Sequence, residues 1–316
     1  MEFRALGLTG LQIAPIVFGG NVFGWTVDEK TSFDLLDQFV DLGFNAIDTA
    51  DVYSIWAEGN KGGESETIIG RWLNANPGKR EKVLIFTKVG GDMKKEGHKG
   101  LSCRWITEAV EDSLRRLQVD YIDLYQSHWP DPETPHEETL GAYQRLLEAG
   151  KIRAIGASNY DAGLLTAAFE ASRTHGLPAY QTLQPEYNLY DREGYESGPR
   201  ELAIRENLGV IPYYSLASGF LTGKYRAEGD LTGRKRGTAV GKYLNDHGFR
   251  IIDALDKVAL EHDAKPAEVA LAWLMAQDGV TAPIASATSR EQLASFAKAV
   301  ELKLSVADTD LLTGVA

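Results

Sequence analysis

Apolar residues in this chain alternate between two patterns. Short, mostly continuous apolar runs occur at Ile16–Phe18, Phe44–Ile47, Val83–Phe86, Tyr121–Tyr125, Ile152–Ile155, Tyr180–Leu183, Val210–Pro212 and Thr281–Ile284. Runs of this length and continuity mark strands covered on both faces, as in a parallel sheet. Between them apolar residues return every three or four positions, the spacing of a helix with one buried face. Phe33, Leu36, Phe39 and Val40 form one such stripe, ended by Gly43. Ile106, Ala109, Val110, Leu114 and Leu117 form a second, with Ser102 as its cap. Leu140, Tyr143, Leu146 and Leu147 form a third, ended by Gly150. Thr134-Pro135-His136-Glu137 reads as a capping box with proline at the first helical position, and Ser289 to Gln292 as another before Leu293, Phe296 and Val300. Residues 3–13 alternate on either side of Leu8-Thr9-Gly10, the pattern of a β-hairpin.

Eight strand–helix units in one uninterrupted chain predict a (β/α)8 TIM barrel with an N-terminal β-hairpin, a single domain over residues 1–316. A doubly wound sheet is the competitor, but it normally has fewer strands and a phosphate loop after the first. Gly19-Gly20-Asn21-Val22-Phe23-Gly24 has the wrong spacing for a dinucleotide fingerprint. A Walker A loop fails too, since Gly223-Lys224 is followed by Tyr225 and preceded by Ser218 where the first glycine belongs.

Composition narrows the function. A net charge of −12 argues against nucleic-acid or anionic-membrane binding. Cys103 is the one cysteine, so no internal disulfide forms, and neither a signal peptide nor an 18-residue apolar run occurs. A cytoplasmic protein is expected. His136-Glu137-Glu138-Thr139-Leu140 lacks the second histidine of a zinc helix, and the six histidines are scattered, so no metal is expected.

The chemistry gathers at strand ends. Phe44 to Ile47 stops at Asp48, with Tyr53 in the following loop; Val83 to Phe86 leads to Lys88; Tyr121 to Tyr125 leads to His128. In a barrel all these ends converge on one face. A lysine ammonium beside a phenol favours the phenolate, a carboxylate keeps the lysine charged, and a histidine bonds a substrate oxygen or joins the relay. A tyrosine so placed protonates an oxygen as negative charge develops on it, as carbonyl reduction requires.

Asp48-Thr49-Ala50 with Tyr53, Thr87-Lys88, Gln126-Ser127-His128, the run from Lys151 to Asn159, Gln184-Pro185-Glu186-Tyr187-Asn188 and Leu221-Thr222-Gly223-Lys224-Tyr225 resemble the signature stretches of the aldo-keto reductase superfamily. The resemblance covers essentially the whole chain and leans to the bacterial and potassium-channel β-subunit-like branch. It implies an (α/β)8 barrel that reduces aldehydes and ketones, or in reverse oxidises alcohols and sugars, with NADPH and without metal. It assigns the catalytic tetrad to Asp48, Tyr53, Lys88 and His128, with Tyr53 as general acid. Its alternative is a nucleotide-sensing subunit with little turnover.

The resemblance also implies the cofactor contacts. Ser158, Asn159 and Gln184 hold the nicotinamide carboxamide, and Tyr213 stacks on its ring. Leu216, Ser218, Gly219, Leu221 and Lys224 follow the pyrophosphate, with Gly20 and Asn21 also assigned to the cofactor. The long segment 222–246 is read as a structureless basic flap over the phosphates, carrying Arg226, Arg234, Lys235 and Arg236. Ser286, Ala287, Thr288, Arg290 and Gln292 open the last amphipathic helix, where backbone N–H groups suit a phosphate. The family usually has glycine at 286, a basic residue at 288 and Asn or Glu at 296, where this chain has Ser286, Thr288 and Phe296. Arg290 is then the candidate for a 2′-phosphate contact; NADP is expected, with NAD the alternative. Trp25, Trp56 and Trp129, in strand-end loops, are expected to wall the substrate pocket.

Overall fold

The computed structural model describes residues 1–233, 235 and 237–316. Two short antiparallel strands, β1 (Arg4–Ala5) and β2 (Gln12–Ile13), form the expected hairpin. Eight parallel strands follow: β3 (Val17–Gly19), β4 (Ala46–Asp48), β5 (Leu84–Val89), β6 (Ile122–Ser127), β7 (Ile152–Ser158), β8 (Thr182–Gln184), β9 (Gly209–Val210) and β10 (Ile284–Ala285). They lie in sequence order from β3 to β9, with β10 beside β3. Backbone bonds close the circle: Thr281 N–H donates to Val210 O (2.8 Å) and Ile284 N–H to Pro212 O (2.8 Å). The expected TIM barrel is the fold.

The main helices are α1 (Glu29–Asp41), α2 (Glu64–Ala75), α3 (Cys103–Leu117), α4 (His136–Glu148), α5 (Ala162–His175), α6 (Glu193–Glu196), α7 (Pro199–Arg205), α8 (Gly237–Val240), α9 (Asp246–Glu261), α10 (Pro266–Met275), α11 (Arg290–Glu301) and α12 (Val306–Val315). Ser102 caps α3 as expected, its oxygen accepting from Trp105 N–H. Thr134 does not cap α4: its hydroxyl donates to Asp131 Oδ2 (2.7 Å), and Pro135 itself stands at the N-cap. Ser289 caps α11, but Gln292 Oε1 accepts from Thr288 N–H (2.7 Å) rather than closing a reciprocal box.

Strand parity divides the core in two. Outward residues such as Ile47, Ile85 and Ile155 pack under the helices, whereas Val17, Ala46, Phe86, Leu124, Ala154, Ile211 and Ile284 form a separate apolar cluster within the barrel. Leu6 and Ile13 of the hairpin belong to that inner cluster, so the hairpin plugs the base. Gly7, at φ +54°, brings the turn so close that a Cβ there would sit 2.3 Å from Gly209 N, an approach that only glycine makes.

Further up, the same inward parity places Asp48, Lys88, Gln126, Gly156, Ser158 and Gln184 above the apolar layer. Gly156 is small for a reason. A Cβ there would lie 2.0 Å from Thr182 Oγ1 and 3.2 Å from Gln126 Cγ. Gly156→Ala will therefore lower unfolding stability by about 1–3 kcal/mol, the usual cost of overpacking, seen as a lower urea midpoint at unchanged slope. An unchanged midpoint would mean that the barrel relaxes freely at this level.

Candidate active site

The four sequence-chosen catalytic residues come together at the C-terminal mouth. Asp48 ends β4, Lys88 stands one residue before the end of β5, His128 follows β6, and Tyr53 leans in from the loop after β4. Lys88 is fully buried and Asp48 is 1% exposed. The lysine's three donors all find acceptors: Asp48 Oδ2 at 2.7 Å, Thr49 O at 2.8 Å and Tyr53 Oη at 2.9 Å. Gln184 Nε2 donates to the other carboxylate oxygen, Asp48 Oδ1, at 3.0 Å, with Gln126 Nε2 at 3.4 Å.

Because Tyr53 Oη accepts from Lys88, its own hydrogen is free to point elsewhere. Among the described residues it reaches only Asp48 Oδ2, at a long 3.3 Å. The Tyr53 and His128 rings lie 5.9 Å apart, edge to face.

Electrostatics correct one expectation. Burial first, then the charge of Asp48, pushes the Tyr53 phenol well above its ordinary 10; the ammonium does not prevail. Burial also lowers Lys88 against the opposing pull of Asp48. Burial, reinforced by Lys88, holds His128 well below 6.5, so its imidazole is neutral at neutral pH. His128 Nδ1 is buried and has no partner among the described residues.

These groups open onto a cavity of about 910 Å3 that extends to the start of α11. Ser158 Oγ donates to Gln184 O (2.9 Å), while the Asn159 amide donates to His128 O (2.9 Å) and accepts from the Tyr213 hydroxyl (2.7 Å). Asn159 does this from φ +63°, a conformation that asparagine tolerates better than most residues. Asn21, Leu216, Ser218, Gly219, Lys224, Ser286, Thr288 and Gln292 also line the cavity. Ser286 Oγ donates to Asn21 Oδ1 at 2.8 Å.

Other expected cofactor residues are not among the residues lining this cavity. Gly20 and Ala287 are buried behind the lining, and Leu221 is a core side chain. Arg290 turns away toward Asp34, 3.8 Å distant, because α11 packs beside α1 and offers it a carboxylate there. Arg226 likewise pairs with Asp256 of α9 (2.7 Å). Arg234 and Arg236 lie outside the described residues. The segment 222–246 is not structureless: short helical turns occur at Glu228–Leu231, Gly237–Val240 and Gly241–Tyr243. Lys235 ties it across the mouth by donating to Trp25 O (2.8 Å).

Trp56 and Trp129 line the cavity and are about half exposed. Trp25 instead supports Trp56 edge-on at 5.6 Å. Sequence reasoning missed Tyr214 and Lys265, which also line the cavity. Lys265 stands directly before Pro266 at the start of α10, and that proline was the available signal.

The family model described as "Aldo/keto reductase family" matches residues 15–316. The "Uncharacterized oxidoreductase YrpG" of Bacillus subtilis is 34% identical over 310 residues, 96% of this chain and 92% of that protein. The "Aldo-keto reductase YhdN" of the same organism is 35% identical over 309 residues, 94% and 88% respectively. A "Probable voltage-gated potassium channel subunit beta" of Oryza sativa is 32% identical over 310 residues, 96% and 92%. The chain belongs to the aldo/keto reductase family and is an NAD(P)H-dependent oxidoreductase.

Proposed function

We propose that the chain reduces aldehyde or ketone groups of small molecules to alcohols with NADPH, Tyr53 acting as general acid. The observation that carries this is the Tyr53 hydroxyl, held 2.9 Å from the buried Lys88 ammonium on the wall of a cavity of about 910 Å3 whose lining also includes Thr288 and Gln292 at the start of α11. A bound nicotinamide supplies the hydride. Tyr53 gives its proton to the carbonyl oxygen as that oxygen becomes an alkoxide, a far stronger base than a phenolate even where burial raises the phenol. Lys88 then faces the phenolate left behind, and Asp48 keeps the ammonium charged and in place. The neutral His128 imidazole orients the substrate oxygen.

The residues present suit the cofactor. Asn159 and Gln184 offer two amides and Ser158 a hydroxyl at the inner end of the cavity, Tyr213 offers a ring, and the N-terminus of α11 offers backbone donors at the far end. Lys224, Lys235 and Lys265 also line it, Lys235 bonded to Trp25 O and Lys265 paired with Glu291 (2.6 Å), and their exchange onto an added phosphate would favour NADPH. The half-exposed Trp56 and Trp129 suit apolar or sugar-like carbonyl compounds.

The test is turnover of nitrobenzaldehyde and a carbonyl panel with each cofactor, after titration by nicotinamide fluorescence. NADPH is expected to bind at least about tenfold tighter than NADH, ~1.4 kcal/mol, and to support turnover. The potassium-channel β-subunit name of the Oryza relative motivates a second reading, a nucleotide sensor. Tight cofactor binding with no turnover of any carbonyl would favour that sensor and defeat the reductase.

A further inference from the structure

A second cavity, of about 540 Å3, lies behind the catalytic loop, between residues 51–62, the loop after β5, and α3. Two of its lining side chains are buried polar groups without partners. Asp51, between Asp48 and Tyr53 in the chain, is 1% exposed, and neither of its carboxylate oxygens has a hydrogen-bond partner among the described residues. Trp105 of α3 is 3% exposed, and its indole N–H is equally unmet. An unsatisfied buried polar group costs about 1–3 kcal/mol, so two in one lining mark a place where complementary atoms are expected.

The surrounding charges say which atoms. Arg116 is committed to Glu66 Oε2 (2.7 Å), Asp112 to Arg115 (2.8 Å) and Lys94 to Asp92 (3.3 Å). Lys61 and Lys95 stand exposed at the rim and form no ion pair with a described residue. The uncommitted charge at the rim is therefore positive, in a chain whose net charge is −12. Inside, burial and then Glu66 push the Asp51 carboxyl up to about 8, against the opposing pull of Arg116 and Lys88. Glu66 from α2, Arg116 from α3, Lys88 from β5, Tyr125 from β6 and Tyr143 from α4 are the ionisable groups coupled to it, and Lys61, Lys94, Lys95, Asp112 and His98, whose ring packs on Trp105 at 4.4 Å, are the others in the lining. At neutral pH the interior thus offers a neutral carboxylic acid and an indole donor, and the rim offers two ammonium groups.

We infer that this cavity is a binding site for a small hydroxylated carboxylate of the sugar-acid class. Its hydroxyls meet Asp51 and the Trp105 indole, and its carboxylate meets Lys61 and Lys95. The site touches the catalytic machinery from behind, because Asp51 N–H donates to Lys88 O at 3.2 Å.

Calorimetric titration of the NADPH-saturated protein with gluconate tests this, with glucose and inorganic phosphate as probes of hydroxyls alone and charge alone. Gluconate is expected to bind saturably, with Kd in about the millimolar range, and more tightly than either control. Binding should weaken about tenfold or more in Trp105→Phe, and also in the surface variant Lys61→Met/Lys95→Met, which leaves the core untouched. It should fall as pH rises past about 8 and Asp51 ionises, and Asp51→Asn should remove that fall while binding persists. No saturable heat, phosphate binding as tightly as gluconate, or gluconate binding indifferent to both sets of variants would overturn the site. Each readout is binding rather than turnover, so failure here is distinct from failure of the reductase reading.

Discussion

Phenylalanine in place of Tyr53 will lower kcat for aldehyde reduction by about 10²–10⁴-fold, the usual worth of a positioned proton donor, and will leave the NADPH Kd nearly unchanged. The substitution deletes one oxygen and keeps the ring, which packs edge-on against Trp56 at 6.0 Å and under the Lys88 ammonium at 4.7 Å. What disappears is the acid alone, plus an acceptor for one lysine donor. Single-turnover kinetics beside a fluorescence titration separate the two effects. Turnover equal to the wild type would remove Tyr53 from the chemistry. The pH profile carries the same reading. The proposed mechanism needs a protonated phenol, and burial raises that phenol well above 10, so Tyr53 should contribute no alkaline loss of kcat/KM below pH 10. His128 must be neutral to bond a developing oxyanion without a prior charge, and burial holds it below 6.5. Any acidic limb from His128 therefore falls on the acid side of 6.5.

Hydropathy located every barrel strand, yet it ended several of them early. The runs Phe44–Ile47, Val83–Phe86 and Tyr121–Tyr125 correspond to strands that end at Asp48, Val89 and Ser127. The discrepancy has one cause. Polar side chains near the strand ends read as the end of an apolar run: the inward Asp48 and Gln126, and in β5 the outward Thr87, bonded to Glu66, before the inward Lys88. In fact Asp48 lines the cavity and Lys88 and Gln126 are buried beside it, joined through Asp48 by hydrogen bonds of 2.7 to 3.4 Å. The reading that singled out Asp48 and Lys88 thus shortened the strands that carry them. Long surface side chains were less legible. Nothing in the spacing of Arg290 shows that it turns to Asp34, or in Arg226 that it turns to Asp256, because a flexible cation follows whichever carboxylate the packed helices bring near. The direction of the phenol's shift was missed for a related reason: a list of neighbours contains the ammonium but not the depth of burial.

Removing the ammonium tests the arrangement most severely. Lys88→Met keeps the length and the buried stem but strands Asp48, whose Oδ2 now lacks its 2.7 Å partner. Breaking one side of a buried ion pair costs about 3–5 kcal/mol, and urea unfolding should show a loss of that order together with loss of turnover. The loss should depend on pH with a definite sign. In the variant, the carboxyl left behind must stay charged without a counter-charge or bind a proton on folding. A proton bound on folding is given up as pH rises, so the variant's stability relative to wild type falls with rising pH. Adding Asp48→Asn removes the stranded charge, since Gln184 and Gln126 still surround the position. The double variant should therefore recover most of the stability, flatten the pH dependence, and remain inactive. A single variant that loses less than about 1 kcal/mol at every pH would mean that Lys88 is buried as a neutral amine, the state toward which burial pushes it. Without a charged Lys88 the phenolate formed by proton transfer has no ammonium to stabilise it, and the assigned mechanism fails at its central contact.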